Sequence, residues 1–129
     1  MKYEFAPVES LRPIESRVYR AQVDYYRHQL ARGVDVGPSC VVPLHDGVLD
    51  QDLVLVDTHH RTYARYMLGG LGLVVPVEIY DTDQDIEDGQ IGCLNRVNSL
   101  WDLRTAYERI WQPRLEHFGV SEIADLELY

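Results

Sequence analysis

Residues 53–80 read "LVLVDTHHRTYARYMLGGLGLVVPVEIY", and this stretch limits the fold more than any other part of the chain. The β-branched run "LVLVD" predicts a strand, and Gly69-Gly70 closes a helix predicted over about 58–68. A second β-branched run, "LVVPVEIY" over 73–80, predicts the next strand. Strand passes to helix through Asp57 and Thr58 alone. So short a turn puts the unpartnered N–H groups of the first helical turn beside the end of a strand.

That first turn is unusual in composition. Helix starts attract acids, because free N–H groups and the helix dipole present partial positive charge. Here Thr58, a good N-cap type, is followed by His59, His60 and Arg61. Each cation at such a place costs on the order of 0.3–1 kcal/mol when exposed. A bound anion reverses the sign, since it would receive helix N–H groups, an Arg fork and up to two imidazole donors. The spacing alone leaves two readings open: an anion-binding turn, or a solvated helix start with one histidine held against a neighbour.

Around this unit the pattern is that of a small α+β chain. "YEFAPVES" has strand character, and "LRPIE" reads as a turn because Pro13 disfavours helix at Arg12. Residues 15–32 predict a helix that gathers Val18, Ala21, Val23, Tyr25, Tyr26 and Leu30 on one face and stops at Gly33. "SCVVPL" at 39–44 predicts a strand, with turn chemistry at Asp46 and Gly47 before "LVLVD"; Pro43 argues that this strand sits at an edge or ends early. The five acids within 81–88 predict a solvated loop rather than a metal loop, since the EF-hand spacing and closing Glu are absent.

Farther on, Ser99 offers an N-cap, with Asp102 at the capping-box position. Leu100, Leu103, Tyr107, Ile110 and Trp111 form a helical stripe that Pro113 should stop or bend. Gly119 should end the helical region. Trp101 and Trp111 are expected to anchor this helix, and Tyr25, Tyr26, Tyr63 and Tyr66 to pack rather than stack on a base. The tail "VSEIADLELY" fits either a short helix or a last strand.

Bulk properties narrow the partners. A chain of 129 residues can bury a core without staples. Twelve Lys and Arg against 21 Asp and Glu give a formal charge of −9, which repels nucleic-acid phosphates and anionic membranes. No direct DNA binding and no membrane association are expected. Cys40 and Cys93 show no metal or redox spacing, and Cys40 reads as a buried thiol. No signal-peptide core and no run of transmembrane length are seen, so a cytoplasmic location is expected.

"VDTHHR", then "YARYMLG" and "VVPVEI", with "VESLRPIESRVYR" upstream, resemble the ParB/sulfiredoxin-like superfamily over about 3–81. The resemblance implies a single domain, a small mixed sheet flanked by helices, with residues 82–129 as an acidic loop and helical extension packed on the 1–81 core. Sulfiredoxins need a cysteine before the His-Arg pair; His59 stands there, so that chemistry should be absent. ParB partition proteins bind CTP and read DNA with a downstream domain, whereas the roughly fifty residues after Tyr80 are not basic.

The free-serine kinase type is the closest match, through "LRPIE" and "VDTHHR". It implies transfer of a phosphoryl group from ATP or ADP, with CTP as the other candidate nucleotide, to the hydroxyl of a small molecule such as a free amino acid. By this match Glu15 is the candidate catalytic base, and Asp57 a catalytic carboxylate that holds Mg²⁺. Thr58, His59, His60 and Arg61 would bind phosphate, and Arg20 would grip a substrate carboxylate. A non-catalytic ATP- or CTP-binding regulatory module is the competing expectation. One departure matters: Thr58 replaces the family's loop glycine, so either the loop takes a conformation that Thr can adopt or the site is altered.

Overall fold

Alternation of apolar residues builds most of the sheet, but long-range pairing decides where its strands begin. In the computed structural model, residues 2–45, 52–89, 99–118 and 122–129 are described, with side chains of the last helix described through Arg109. In chain order these are β1 (Lys2–Pro7), β2 (Leu11–Pro13), β3 (Arg17–Val18), α1 (Arg20–Ala31), β4 (Ser39–Pro43), β5 (Leu53–Leu55) and α2 (His59–Gly69). They are followed by β6 (Val74–Ile79), α3 (Asp83–Gly89), α4 (Leu100–Phe118) and β7 (Glu127–Leu128). The result is a small single-domain α+β fold with a mixed sheet and, among the described residues, four α-helices.

The five-stranded sheet has the order β1-β6-β4-β5-β2. β6 is antiparallel to β1 and parallel to β4, with Ser39 beside Val77 and Cys40 beside Glu78. β5 is antiparallel to β4 and parallel to β2. Val41, Val42, Val54 and Leu55 are all buried, so the central strands are covered on both faces. Helices α1 and α2 pack on each other, while Leu103 and Tyr107 of α4 join the same buried cluster as Ile123 and Leu126.

Several sequence expectations are corrected. "LRPIE" is not a turn: Leu11, Arg12 and Pro13 form edge strand β2, where a proline is tolerated. Helix α1 begins at Arg20 rather than near Glu15, because Arg17 and Val18 pair with Glu127 and Leu128 instead of continuing a helical stripe. β4 lies at the centre of the sheet, not at an edge; it does end at Pro43, whose carbonyl accepts the Arg104 Nε–H at 2.9 Å.

The acidic run is not a loop throughout. Residues Asp83–Gly89 are helical: the Thr82 hydroxyl accepts the Asp85 N–H at 3.0 Å, acids occupy the first turn, and Ile86 is buried. Ser99 and Asp102 do cap α4, with the Asp102 N–H donating to Ser99 Oγ at 3.1 Å and the Ser99 hydroxyl to Asp102 Oδ2 at 2.8 Å. That helix runs through Pro113, and Trp101 is 69% exposed rather than anchoring it. The tail forms both alternatives in succession, a 3₁₀ turn at Ile123–Asp125 and then β7. The turn at Asp46 and Gly47, Cys93, Gly119 and the side chains of Ile110 and Trp111 lie outside the described residues. Among the described residues no helix is long and apolar enough to cross a membrane.

Candidate active site

The turn between β5 and α2 is held by hydroxyls. Thr58 has φ −117° and ψ 31°, a backbone conformation open to β-branched residues, so this position needs no positive φ. Its Oγ1 accepts the Cys40 N–H at 3.0 Å, tying β4 to the turn. Its carbonyl receives both the Thr62 N–H (3.1 Å) and the Thr62 hydroxyl (2.8 Å), and Thr62 Oγ1 lies 2.6 Å from Ser39 Oγ. Because Oγ1 serves Cys40, the Thr58 side chain does not cap α2. The N–H groups of its first turn therefore receive no acceptor from the Thr58 side chain. Replacing Thr58 by the near-isosteric valine should cost about 2 kcal/mol in urea denaturation, by leaving the Cys40 N–H without its acceptor. Thr58→Gly, which also loses Oγ1, should give no compensating gain, because no positive φ needs relief.

His59 points into the fold. It is 1% exposed, and its Nε2 accepts the N–H groups of Ile14 (3.0 Å) and Glu15 (3.3 Å), so the neutral ring carries its proton on Nδ1. Burial, and after it the neighbouring His60, hold its pKa down to about 3, against an opposing contribution from the Val56 backbone. An uncharged ring with Nε2 already engaged is a strut between the end of β2 and the first turn of α2. The position expected to meet phosphate instead fixes the backbone of Glu15.

Glu15 is thereby placed at the mouth of the turn. Its Oε2 lies 3.9 Å from His59 Nδ1, and its side chain is 44% exposed. Burial, followed by the charge of Asp57, raises its pKa. Asp57, at the end of β5, is partly exposed, and its pKa is itself raised by partial burial and by Glu78, with Arg61 and the Cys40 thiol pulling the other way. Glu15, Asp57 and Arg61 thus share one electrostatic neighbourhood.

The other predicted residues are placed less centrally. The His60 ring stacks on Tyr19, centroids 6.0 Å apart, and burial lowers its pKa. Its Nε2 is buried with no hydrogen-bond partner among the described residues. Arg61 lies over the Tyr26 ring at 5.5 Å. Arg20 opens α1 as an exposed residue whose N–H donates to the Tyr129 carbonyl at 2.6 Å, and its charge reaches Tyr63. No contact among the described residues joins its side chain to Glu15 or Asp57.

Sequence reasoning missed a polar row beside Asp57. Cys40 and Glu78 are neighbours across β4 and β6, and the Tyr80 hydroxyl donates to Glu78 Oε1. Burial, then Asp57 and Glu78, push the Cys40 thiol up to about 12, so it stays protonated and donates toward Asp57. Only the strand register brings Cys40 to Glu78, and nothing in either local stretch signals it. Among the described residues no group of three or more His, Cys, Asp or Glu side chains gathers to hold a metal. A lone exposed carboxylate such as Asp57 fits Mg²⁺ only in the manner in which that ion keeps its waters and takes further oxygens from phosphate.

No family model matches the chain, and no curated protein matches it either. Solved structures share the fold. Protein Atu1540 from Agrobacterium tumefaciens superposes with a TM-score of 0.53 at 17% identity, covering 98% of this chain and 62% of its own. A conserved hypothetical protein from Pyrococcus furiosus gives 0.51 at 21% identity, covering 63% of this chain and 33% of its own. The chain thus spans less than two thirds of either neighbour, and at these identities the likeness is one of fold alone.

Proposed function

We propose that this chain is a nucleotide-dependent phosphotransferase of the ParB/sulfiredoxin-like type, acting on the hydroxyl of a small molecule such as a free amino acid. The observation that carries this reading is the uncapped start of α2 flanked by Arg61 and Asp57, with Glu15 held beside it by His59. In this reading the phosphates of ATP, ADP or CTP meet the first-turn N–H groups and the Arg61 fork, with His60 at their side. Asp57 would hold Mg²⁺, which supplies charge neutralisation when bound. Glu15 takes the proton from the acceptor hydroxyl, and its raised pKa makes it the stronger base near neutral pH. Arg20 is proposed to meet a substrate carboxylate. His59 changes role, from a phosphate ligand to a residue that positions Glu15.

The second reading, a binding module without catalysis, is favoured by that same inward turn of His59, which leaves a thinner phosphate cradle. Titration calorimetry with ATP, ADP and CTP, with and without Mg²⁺, should show binding of at least one nucleotide. Arg61→Ala should weaken it about tenfold or more. Absence of heat with all three nucleotides would remove both readings.

A further inference from the structure

One turn after Arg61, α2 carries a second arginine that the proposed chemistry does not use. Arg65 is 8% exposed, and its Nη1 is buried with no hydrogen-bond acceptor among the described residues. Arg12, equally buried, has Asp52 Oδ1 at 3.0 Å; Arg65 has no carboxylate at ion-pair distance among the described residues. The acid whose charge reaches it is Asp35, which is exposed and whose Oδ1 already accepts the Gly37 N–H at 2.9 Å.

Arg61 makes the arrangement less favourable still. It lies four residues before Arg65 on the same side of the helix, and the two positive charges oppose each other. Its guanidinium spans from the Tyr26 ring to Gly37, where a Cβ would stand 2.7 Å from Arg61 Nη1. Gly37 also has φ +88°, so the segment between α1 and β4 both bends there and leaves room for the guanidinium. Two cations, one of them buried and with no carboxylate partner among the described residues, under a glycine-bearing segment are a poor way to build a core and a suitable way to receive a negative group.

We propose that Arg65 and Arg61 form a binding site for a compact oxyanion, a carboxylate or a phosphoryl group, between α2 and the segment 33–38. Arg65 supplies its unengaged Nη1 from below and Arg61 closes the side toward Asp57. The site stands on α2 one turn deeper than the uncapped N–H groups and shares Arg61 with the proposed nucleotide cradle, so Arg65 is the residue that distinguishes it.

Thermal unfolding in sodium phosphate, sodium acetate and sodium chloride at matched ionic strength tests this. Phosphate or acetate at tenfold above its Kd should raise the wild-type Tm by about 5 °C over chloride. A rise with phosphate alone assigns the phosphoryl group, a rise with acetate alone the carboxylate, and a rise with both the shared chemistry. Arg65→Met should abolish the rise. Arg65→Lys, which keeps the charge and loses the fork, should retain a response with affinity reduced about tenfold or more, and it serves if the methionine variant does not fold. Equal Tm in all three salts for the wild type would overturn the proposal. So would a full response in Arg65→Met, which would put the anion elsewhere, or unchanged affinity in Arg65→Lys.

Discussion

Replacing His59 with alanine should destabilise the protein by about 4 kcal/mol in urea denaturation. The substitution empties a fully buried site and strands the N–H groups of Ile14 and Glu15 together. His59→Gln, which retains a side-chain acceptor, should lose less, and it isolates the effect of the proton. The folded ring has its pKa depressed from 6.5 to about 3, so as pH falls the unfolded chain binds the proton first. This group's stability is therefore complete above about pH 6.5 and declines toward pH 3, at roughly 1.4 kcal/mol per pH unit. Glu15 and Asp57, whose pKa values are raised, act with the opposite sign: their contribution is present at low pH and lost as pH rises through their folded values. Unfolding free energies from urea denaturation at pH 7 and pH 5 should differ for the wild type by about 2 kcal/mol from His59, a difference that His59→Gln removes. Equal acid sensitivity in the two proteins would assign the loss to another group.

His59 also marks the limit of what the local pattern could reveal. Its place at the first position of α2 was legible, because strand, two-residue turn and helix follow from β-branched and glycine signals within thirty residues. The direction of its ring was not, since that depends on β2 lying beside β5, forty residues away in sequence. The same cause lies behind the other corrections. Leu11–Pro13 reads as a turn until Leu53–Leu55 supplies a parallel partner, and Val18 fits a helical stripe until it and Arg17 pair with Leu128 and Glu127. Pro43 indicates an edge or an early end, and the early end holds: a proline can close a central strand at its last residue. The solvated acidic run became helical because one buried side chain, Ile86, and one capping hydroxyl, Thr82, suffice for two turns. Local caps, by contrast, were readable: Ser99 and Asp102 meet as their spacing indicates.

The largest functional effect is expected at Glu15. Under the proposed phosphotransferase reading, Glu15→Gln should reduce phosphoryl transfer to a hydroxylated amino acid by about 10²–10⁴-fold, followed by phosphorus NMR, while nucleotide affinity and folding stay near wild type. Folding should survive because the bond that fixes this position is made by the Glu15 backbone N–H, which glutamine keeps. A pH profile separates a base from a merely structural acid. Burial and Asp57 raise the Glu15 pKa, so the ascending limb of kcat/KM should lie above the ordinary carboxylate value of 4.5. Asp57→Asn removes one of the two causes and should move that limb to lower pH, even where it lowers the rate. Turnover unchanged in Glu15→Gln would exclude Glu15 as the base. Loss of nucleotide affinity in the same variant would instead make Glu15 part of the binding site, and the binding-module reading would then account for the turn at Asp57 and Thr58 without catalysis.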